Sequence, residues 1–357
     1  MHQTRGTPAM SRLLTGRSLT RTATAATLLT LAALTPATTA TAATTPTPTA
    51  TATTAPHPRI TSAYELPGDR AYPEGITTDP RTGDVYVGSY TTGAVYKATP
   101  GHHRAEVFLP AGADGRNTAN GLRADRAGRL WVTDSTSGVS VYDLRSRTLL
   151  ARFDVPGPDD APRMVNDIAI TPDGTAYLTD SSRAVIYRVT PGQLANASAH
   201  GKRGELTVSH DLGTTIAPHP ADAYTLNGIV ADPSGRYLLT VDMTGGDLYR
   251  VDLATGAVRE VTPHGGDFTN GDGMELRGRT LWVVQNRDNT VARWRLDGDG
   301  TTARLEREVT DPALQIPTTI AHSGGHALVV RSQFDKGGPM GPGTPTTPFT
   351  VADVDGI

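Results

Sequence analysis

Six residues with oxygen-bearing side chains, Glu74, Asn120, Asn166, Asn227, Asp272 and Thr318, recur along the 357-residue chain at steps of 46, 46, 61, 45 and 46. Two positions beyond each stands an apolar residue: Ile76, Leu122, Ile168, Ile229, Met274 and Ile320. Four of the six are followed by glycine, so any one of them alone is an ordinary turn dipeptide. Brought to one place they would be something else. Two carboxylates among amides in apolar surroundings need a cation, or one of them must keep its proton, because buried unpaired charge is costly. Hard oxygen donors with two negative charges, and neither Cys nor His among them, suit Ca2+ better than Zn2+.

The elements that would bring them together are legible as a repeat. PEGITTDPRTGDVYVGSY (73–90), ANGLRADRAGRLWVTDS (119–135), VNDIAITPDGTAYLTDS (165–181), LNGIVADPSGRYLLTVD (226–242), GDGMELRGRTLWVVQN (271–286) and TTIAHSGGHALVVRSQF (318–334) share one plan. A polar residue leads a short apolar strand, a turn follows, and a second strand rich in Val, Leu, Tyr and Trp comes next. Most copies go on to a third strand, such as GAVYKAT or TVARWRL. A period near 45 residues with three or four strands per unit is the pattern of a propeller blade, and six copies predict an all-β, six-bladed β-propeller. A sandwich or an open β-solenoid is the rival architecture. The innermost strand of each blade lines the central channel, so equivalent positions form a ring about the axis. The one long step places an insertion within 191–225, and no amphipathic helix of useful length is expected. FTVADVD (349–355) has no partner in its own unit and is expected to close the ring beside RITSAYEL (59–66).

The first residues read differently. A basic stretch with Arg5, Arg12, Arg17 and Arg21 precedes the apolar run ATLLTLAAL (26–34) and the small residues ATTATAA (37–43). That order predicts a secretory leader over 1–42, cut near Ala42 or Ala43, with an apolar run too short to span a bilayer. Residues 43–58 are rich in Thr, Pro and Ala and read as a linker, which leaves 59–357 for the propeller. Losing the four arginines takes the formal charge from −3 to −7, which argues against nucleic acid or an anionic membrane as partner. The chain has no Cys, so an exported form must rely on a large core or a bound metal rather than disulfides. A secreted monomer acting on a small molecule is the expectation.

With these residues in hand the chain resembles the gluconolactonase and senescence-marker family of six-bladed propellers. That family is related to diisopropyl-fluorophosphatase-type phosphotriesterases and more remotely to paraoxonases. The likeness covers essentially 60–355. It implies a catalytic calcium held by Glu74 (in PEG), Asn166 (in VND), Asn227 (in LNG) and Asp272 (in GDG). It also implies hydrolysis of a lactone or related ester, with Asp272 as the catalytic group. The cation would polarise the carbonyl and stabilise the oxyanion. Asp272 would attack directly or hold a water, since a carboxylate on a cation has a lowered pKa and is a weak general base. Asn120, Asp167, Thr318 and His322 are the expected substrate contacts. One departure stands out: where family lactonases often carry Arg two residues before the third-blade Asn, this chain has Met164, with Arg163 one residue further off. Sugar-acid lactone specificity is therefore in question. The SQFD segment (332–335) resembles a subgroup of exported bacterial members.

Other candidates are weaker. His322 falls on the same alternating face as Thr318, His264 precedes the fifth-blade motif, and His219 lies in the insertion. Asp134 and Asp180 in the TDS copies read as turn residues, and Trp131 and Trp282 as packing between blades. No phosphate-cradling glycine loop, G-x-S-x-G turn or H-E-x-x-H is present. Two alternatives stay open: a non-catalytic propeller in which calcium only holds the blades, and a lyase or strictosidine-synthase-like enzyme. The lyase type is usually seven-bladed with His-rich loops.

Overall fold

Six sheets follow one another along the chain, each led by one of the six short apolar strands that the repeat marks out. The computed structural model describes residues 58–158 and 161–357. The expected leader, its cleavage site and nearly all of the Thr/Pro/Ala stretch lie outside the described residues. The inner strands are Pro73–Thr78, Leu122–Ala124, Val165–Ile170, Leu226–Ala231, Gly271–Arg277 and Pro317–Ser323. Each pairs antiparallel with the strand after it, through turns carrying Gly at positive φ such as Gly83, Gly128, Gly174 and Gly235.

The ring closes by mixing the two ends of the chain. Ile60–Leu66 pairs antiparallel with Phe349–Val354, so the sixth blade takes its outermost strand from the start of the fold and the other three from its end. The expected pairing of FTVADVD with RITSAYEL is what the structure has.

The core lies between blades rather than within a central mass. Ile76 and Val87 of blade 1 pack with Val330 and Phe349 of blade 6. Val95 and Tyr86 of blade 1 pack with Leu130 and Val132 of blade 2. Trp131 bridges blade 2 to Ile168 and Leu178 of blade 3, and Trp282 bridges blade 5 to Ile320 and Val329 of blade 6, as expected of both tryptophans. Blades 3–4 and 4–5 share the remaining two clusters. Side chains on both faces of each sheet are therefore buried, which is why the strands read as nearly continuous apolar runs.

The insertion departs from the sequence expectation. It holds an α-helix, Pro191–Ala199, started by a capping box in which Thr190 and Gln193 bond each other's backbone amides, with Pro at its first turn. Only Leu194 and Ala197 of it are buried, too few to leave a helical period in the sequence. The chain then adds Arg203–Glu205 in parallel to the outer strand of blade 2, covering that edge, and returns as Thr207–Asp211 to complete blade 3. Among the described residues no helix is long and apolar enough to cross a membrane.

Candidate metal centre

In five blades the pairing of the inner strand slips by one residue at the same point. The slips fall between Pro73 and Ile76, Val165 and Ile168, Leu226 and Ile229, Gly271 and Met274, and Pro317 and Ile320. Each slip is a β-bulge, and each contains one of the recurring polar residues. A bulge kinks the strand and re-aims a side chain that strict alternation would send elsewhere. Four of these side chains, Glu74, Asn166, Asn227 and Asp272, line a single cavity of about 140 Å³.

The glycines that follow serve approach, not turning. A Cβ on Gly75 would stand 2.0 Å from the carbonyl oxygen of Asn120, and one on Gly228 would stand 2.2 Å from that of Asp272. In the four blades where glycine follows the polar residue, the inner strand touches the backbone of the next blade's polar segment, and a side chain would not fit there. Threonines stitch the same ring: the hydroxyl of Thr133 donates to the Asn166 carbonyl (2.5 Å), Thr179 to Asn227 (2.6 Å) and Thr318 to Glu74 (2.7 Å).

Side-chain atoms in the ring are oriented from behind. Asn166 Nδ2 donates to Ser181 Oγ at 3.0 Å, and that hydroxyl donates to the Leu226 carbonyl at 2.6 Å. Asn227 Nδ2 reaches Met243 Sδ at 3.3 Å. Asn286 Nδ2 donates to Asp272 Oδ2 at 2.6 Å, while its own Oδ1 accepts from the Arg287 amide, also at 2.6 Å. With the amide nitrogens so engaged, Asn166 Oδ1, Asn227 Oδ1 and Glu74 Oε2 are buried acceptors with no donor among the described residues. Orphaned buried acceptors are rare, and three around one cavity beside a second carboxylate call for a positive occupant.

The environment of the buried carboxyls points the same way. Burial, then the charges of Asp272 and Asp167, push the Glu74 carboxyl well above the usual carboxylate range. Burial raises Asp272 to about 7 against the bonds it accepts from Asn286. Asp167 is raised too, by burial, although the Arg123 charge and the amides of Ile168 and Ile229 oppose it. Glu74 and Asp272, the two carboxyls that share the cavity, resist ionisation chiefly because they are buried, and a divalent cation between them would favour their charged forms. The donors are all oxygens, which fits a hard ion of the Ca2+ type and not a zinc site. Among the described residues no group of three or more His, Cys, Asp or Glu is arranged to hold a metal, so the two amides are necessary members of this set.

The expected substrate contacts fare differently. Asn120 is fully buried, lies off the cavity and has no partner for either amide atom. Asp167 sits beneath the ring, its carboxylate accepting from the amides of Ile168 (2.8 Å) and Ile229 (3.3 Å). Thr318 spends its hydroxyl on Glu74. His322 is not brought to the cavity at all: its ring pairs with Glu275 and lies 4.4 Å from the Trp282 ring. It stands four residues down the strand from Thr318, about 13 Å at strand rise, and the bulge interrupts the alternation that had put the two on one face.

What does line the cavity is a set of apolar side chains that the repeat did not announce: Tyr90, Met164, Tyr224, Met243, Phe334 and Met340. Tyr90, Ser181, Met243 and Asn286 occupy one register, just past the second strand of their blades. The recurrence of TDS was its visible trace. A larger cleft of about 720 Å³ lies at the hairpin turns of blades 3 and 4, lined by Asp173, Arg236 and Arg250. It contains none of the unpartnered ring acceptors, so size does not choose the site.

The comparisons agree with this architecture. Solved structures with the same fold include a gluconolactonase from Xanthomonas campestris (15% identity, TM-score 0.56, 83% of this chain and 89% of that one). A calcium-binding regucalcin from Agrobacterium tumefaciens is similar as well (18%, 0.55, 83% and 98%). So is virginiamycin B lyase from Staphylococcus aureus (14%, 0.55, 84% and 100%), of which a histidine-to-alanine variant is catalytically inactive. At these identities the likeness is one of fold. No curated protein matches the sequence. The model of the SMP-30/gluconolactonase/LRE-like region matches residues 72–330, and the chain belongs to that family.

Proposed function

We propose that the protein is a divalent-cation-dependent hydrolase of a lactone or related ester, with Ca2+ as the ion and Glu74, Asn166, Asn227 and Asp272 as its ligands. The observation that carries this reading is the set of three unpartnered buried acceptors beside the Asp272 carboxylate, all facing one cavity. When bound, the cation supplies Lewis-acid polarisation of the carbonyl and neutralises developing negative charge. The chain does the rest. Asn286 fixes one oxygen of Asp272 at 2.6 Å and so sets the plane of the carboxylate. From that position Asp272 attacks the carbonyl carbon or orients a water toward it. In either case the acyl C–O bond breaks, the departing alkoxide takes a proton from water, and an acyl group carried by Asp272 would be released by a second water. The apolar walls limit competing water.

Among the described residues no histidine lines the cavity, where Asp272 and Glu74 are the carboxylates in reach of a substrate, and this sets the site apart from chemistry that needs a histidine. Hydrolysis is therefore favoured over a lyase reaction. A panel of lactones, aryl esters and phosphotriesters, followed by pH-stat with chelator and with Ca2+ restored, tests the proposal. Turnover that disappears with chelator and returns with Ca2+ supports it. A chelator-sensitive melting temperature with no turnover on any ester would support a binding propeller with a structural ion instead. The basic, apolar and small-residue order of residues 1–42 supports export of the mature protein, and we expect it to act outside the cytoplasm as a monomer.

A further inference from the structure

Resting on the hydrolase reading, we propose that the substrate's non-reacting part is apolar, an aliphatic chain or an aromatic ring, and not the polyhydroxylated ring of a sugar lactone. The walls above the ring carry the argument. Three of the four methionines among the described residues, Met164, Met243 and Met340, line this one cavity. Phe334 and Tyr90 form an aromatic corner there, their rings 5.2 Å apart and inclined by 57°. Tyr224 closes another side, with 49% of its surface exposed although it is a large aromatic residue.

Polar groups with capacity to spare are few. Asn286 uses its amide on Asp272 and on the Arg287 backbone, and Asn166 uses its nitrogen on Ser181. Asn227 turns its nitrogen to a thioether. Among the described residues, beyond the metal ligands, the side-chain groups left to meet a ligand's hydroxyl groups are the tyrosine hydroxyls, the exposed Arg287 side chain and the second N–H of Asn286. A sugar lactone would bury several hydroxyls against sulfur and aromatic carbon without partners, which is strongly disfavoured. An acyl chain would meet matching surface. Methionine's flexible, polarizable side chain adapts to varied apolar shapes, so the site should accept a range of chain lengths instead of one.

The test pairs turnover with binding. In the first arm, kcat/KM of the Ca2+-loaded protein is measured for δ-lactones with side chains of increasing length, for dihydrocoumarin and for glucono-δ-lactone. The expected result is a rise of about three- to fourfold per added methylene until the cavity is filled, the factor that corresponds to burying one CH2 group. Glucono-δ-lactone should be the poorest substrate. In the second arm, calorimetric titration with the matching alkyl δ-lactams, which resist hydrolysis, reads affinity without chemistry. Met164→Arg and Tyr224→Ser should flatten the chain-length dependence in both arms.

A flat series, or preference for glucono-δ-lactone, overturns the apolar assignment while leaving hydrolysis intact. Lactam affinity that climbs with chain length in a protein that hydrolyses nothing supports the apolar site and overturns the hydrolase reading. Absence of turnover together with flat lactam binding overturns both.

Discussion

Gly228 separates two explanations of the Asn-Gly pair by the sign of one measurement. Its φ is not in the left-handed region, so backbone conformation alone permits alanine there. If the glycine were merely a turn or strand residue, Gly228→Ala would stabilise the fold by about 0.4–1 kcal/mol, because it restricts the unfolded chain. The structure demands the opposite. The new Cβ would fall 2.2 Å from the Asp272 carbonyl oxygen and 3.0 Å from Met274 Cγ. A carbon–oxygen pair needs about 1 Å more than the first distance, and the obstacle is backbone, so two inner strands must part. Forced overpacking of this kind costs about 2–4 kcal/mol. For a folded part of roughly 300 residues that is a fall of about 3–6 °C in Tm. The displaced carbonyl belongs to a proposed ligand, so Ca2+ affinity should drop about tenfold or more as well. Thermal or urea unfolding with and without Ca2+ reads both effects. Gly298→Ala is the control, since its Cβ would meet nothing within 4 Å. A Gly228→Ala protein as stable as the wild type would refute the close-approach account of the ring.

Three further outcomes are expected. Asp272→Asn should lower turnover by at least about a hundredfold while calorimetry still detects Ca2+ binding; activity surviving in a clean preparation would remove Asp272 from the mechanism. In the metal-free protein, burial and mutual repulsion raise the carboxyls of Glu74 and Asp272, the latter from 3.8 to about 7. The folded state then binds more protons than the unfolded one between those values. Stability should therefore fall as pH rises from about 4 toward 7, and saturating Ca2+ should cancel that slope. A chelated protein whose Tm does not change over this range would contradict the buried, cation-free ring. Finally, N-terminal sequencing of protein exported from a bacterial host should begin near Ala42 or Ala43, and retention of Met1 in the exported form would sink the leader.

The insertion and the histidines show where one-dimensional reasoning stops. Period-2 alternation put His322 beside Thr318, but the bulge between Pro317 and Ile320 breaks that alternation, and the strand carries His322 to Glu275 and Trp282. The helix Pro191–Ala199 buries two side chains only, so its amphipathic signal is weak and the expectation of no useful helix missed it. Arg116 is a similar case: a fully buried guanidinium donating to the Gly93 carbonyl at 2.9 and 2.7 Å, with nothing local in the sequence to mark it.

The sequence by itself determined the blade count, the ring closure and the six oxygen-bearing positions, because a propeller repeats one local unit and each unit carries its own contribution to the axis. Only the tertiary structure decided how those positions are used. It turned Glu74, Asn166, Asn227 and Asp272 onto one cavity through bulges that no residue type announces. It bound Thr318 and Asp167 into the scaffold, and it assembled the walls from Tyr90, Met164, Tyr224, Met243, Phe334 and Met340, which come from different blades and loops. The physical reason is common to all of these. A repeat is written in neighbouring residues, whereas a cavity wall is written in contacts between segments that only the closed ring brings together.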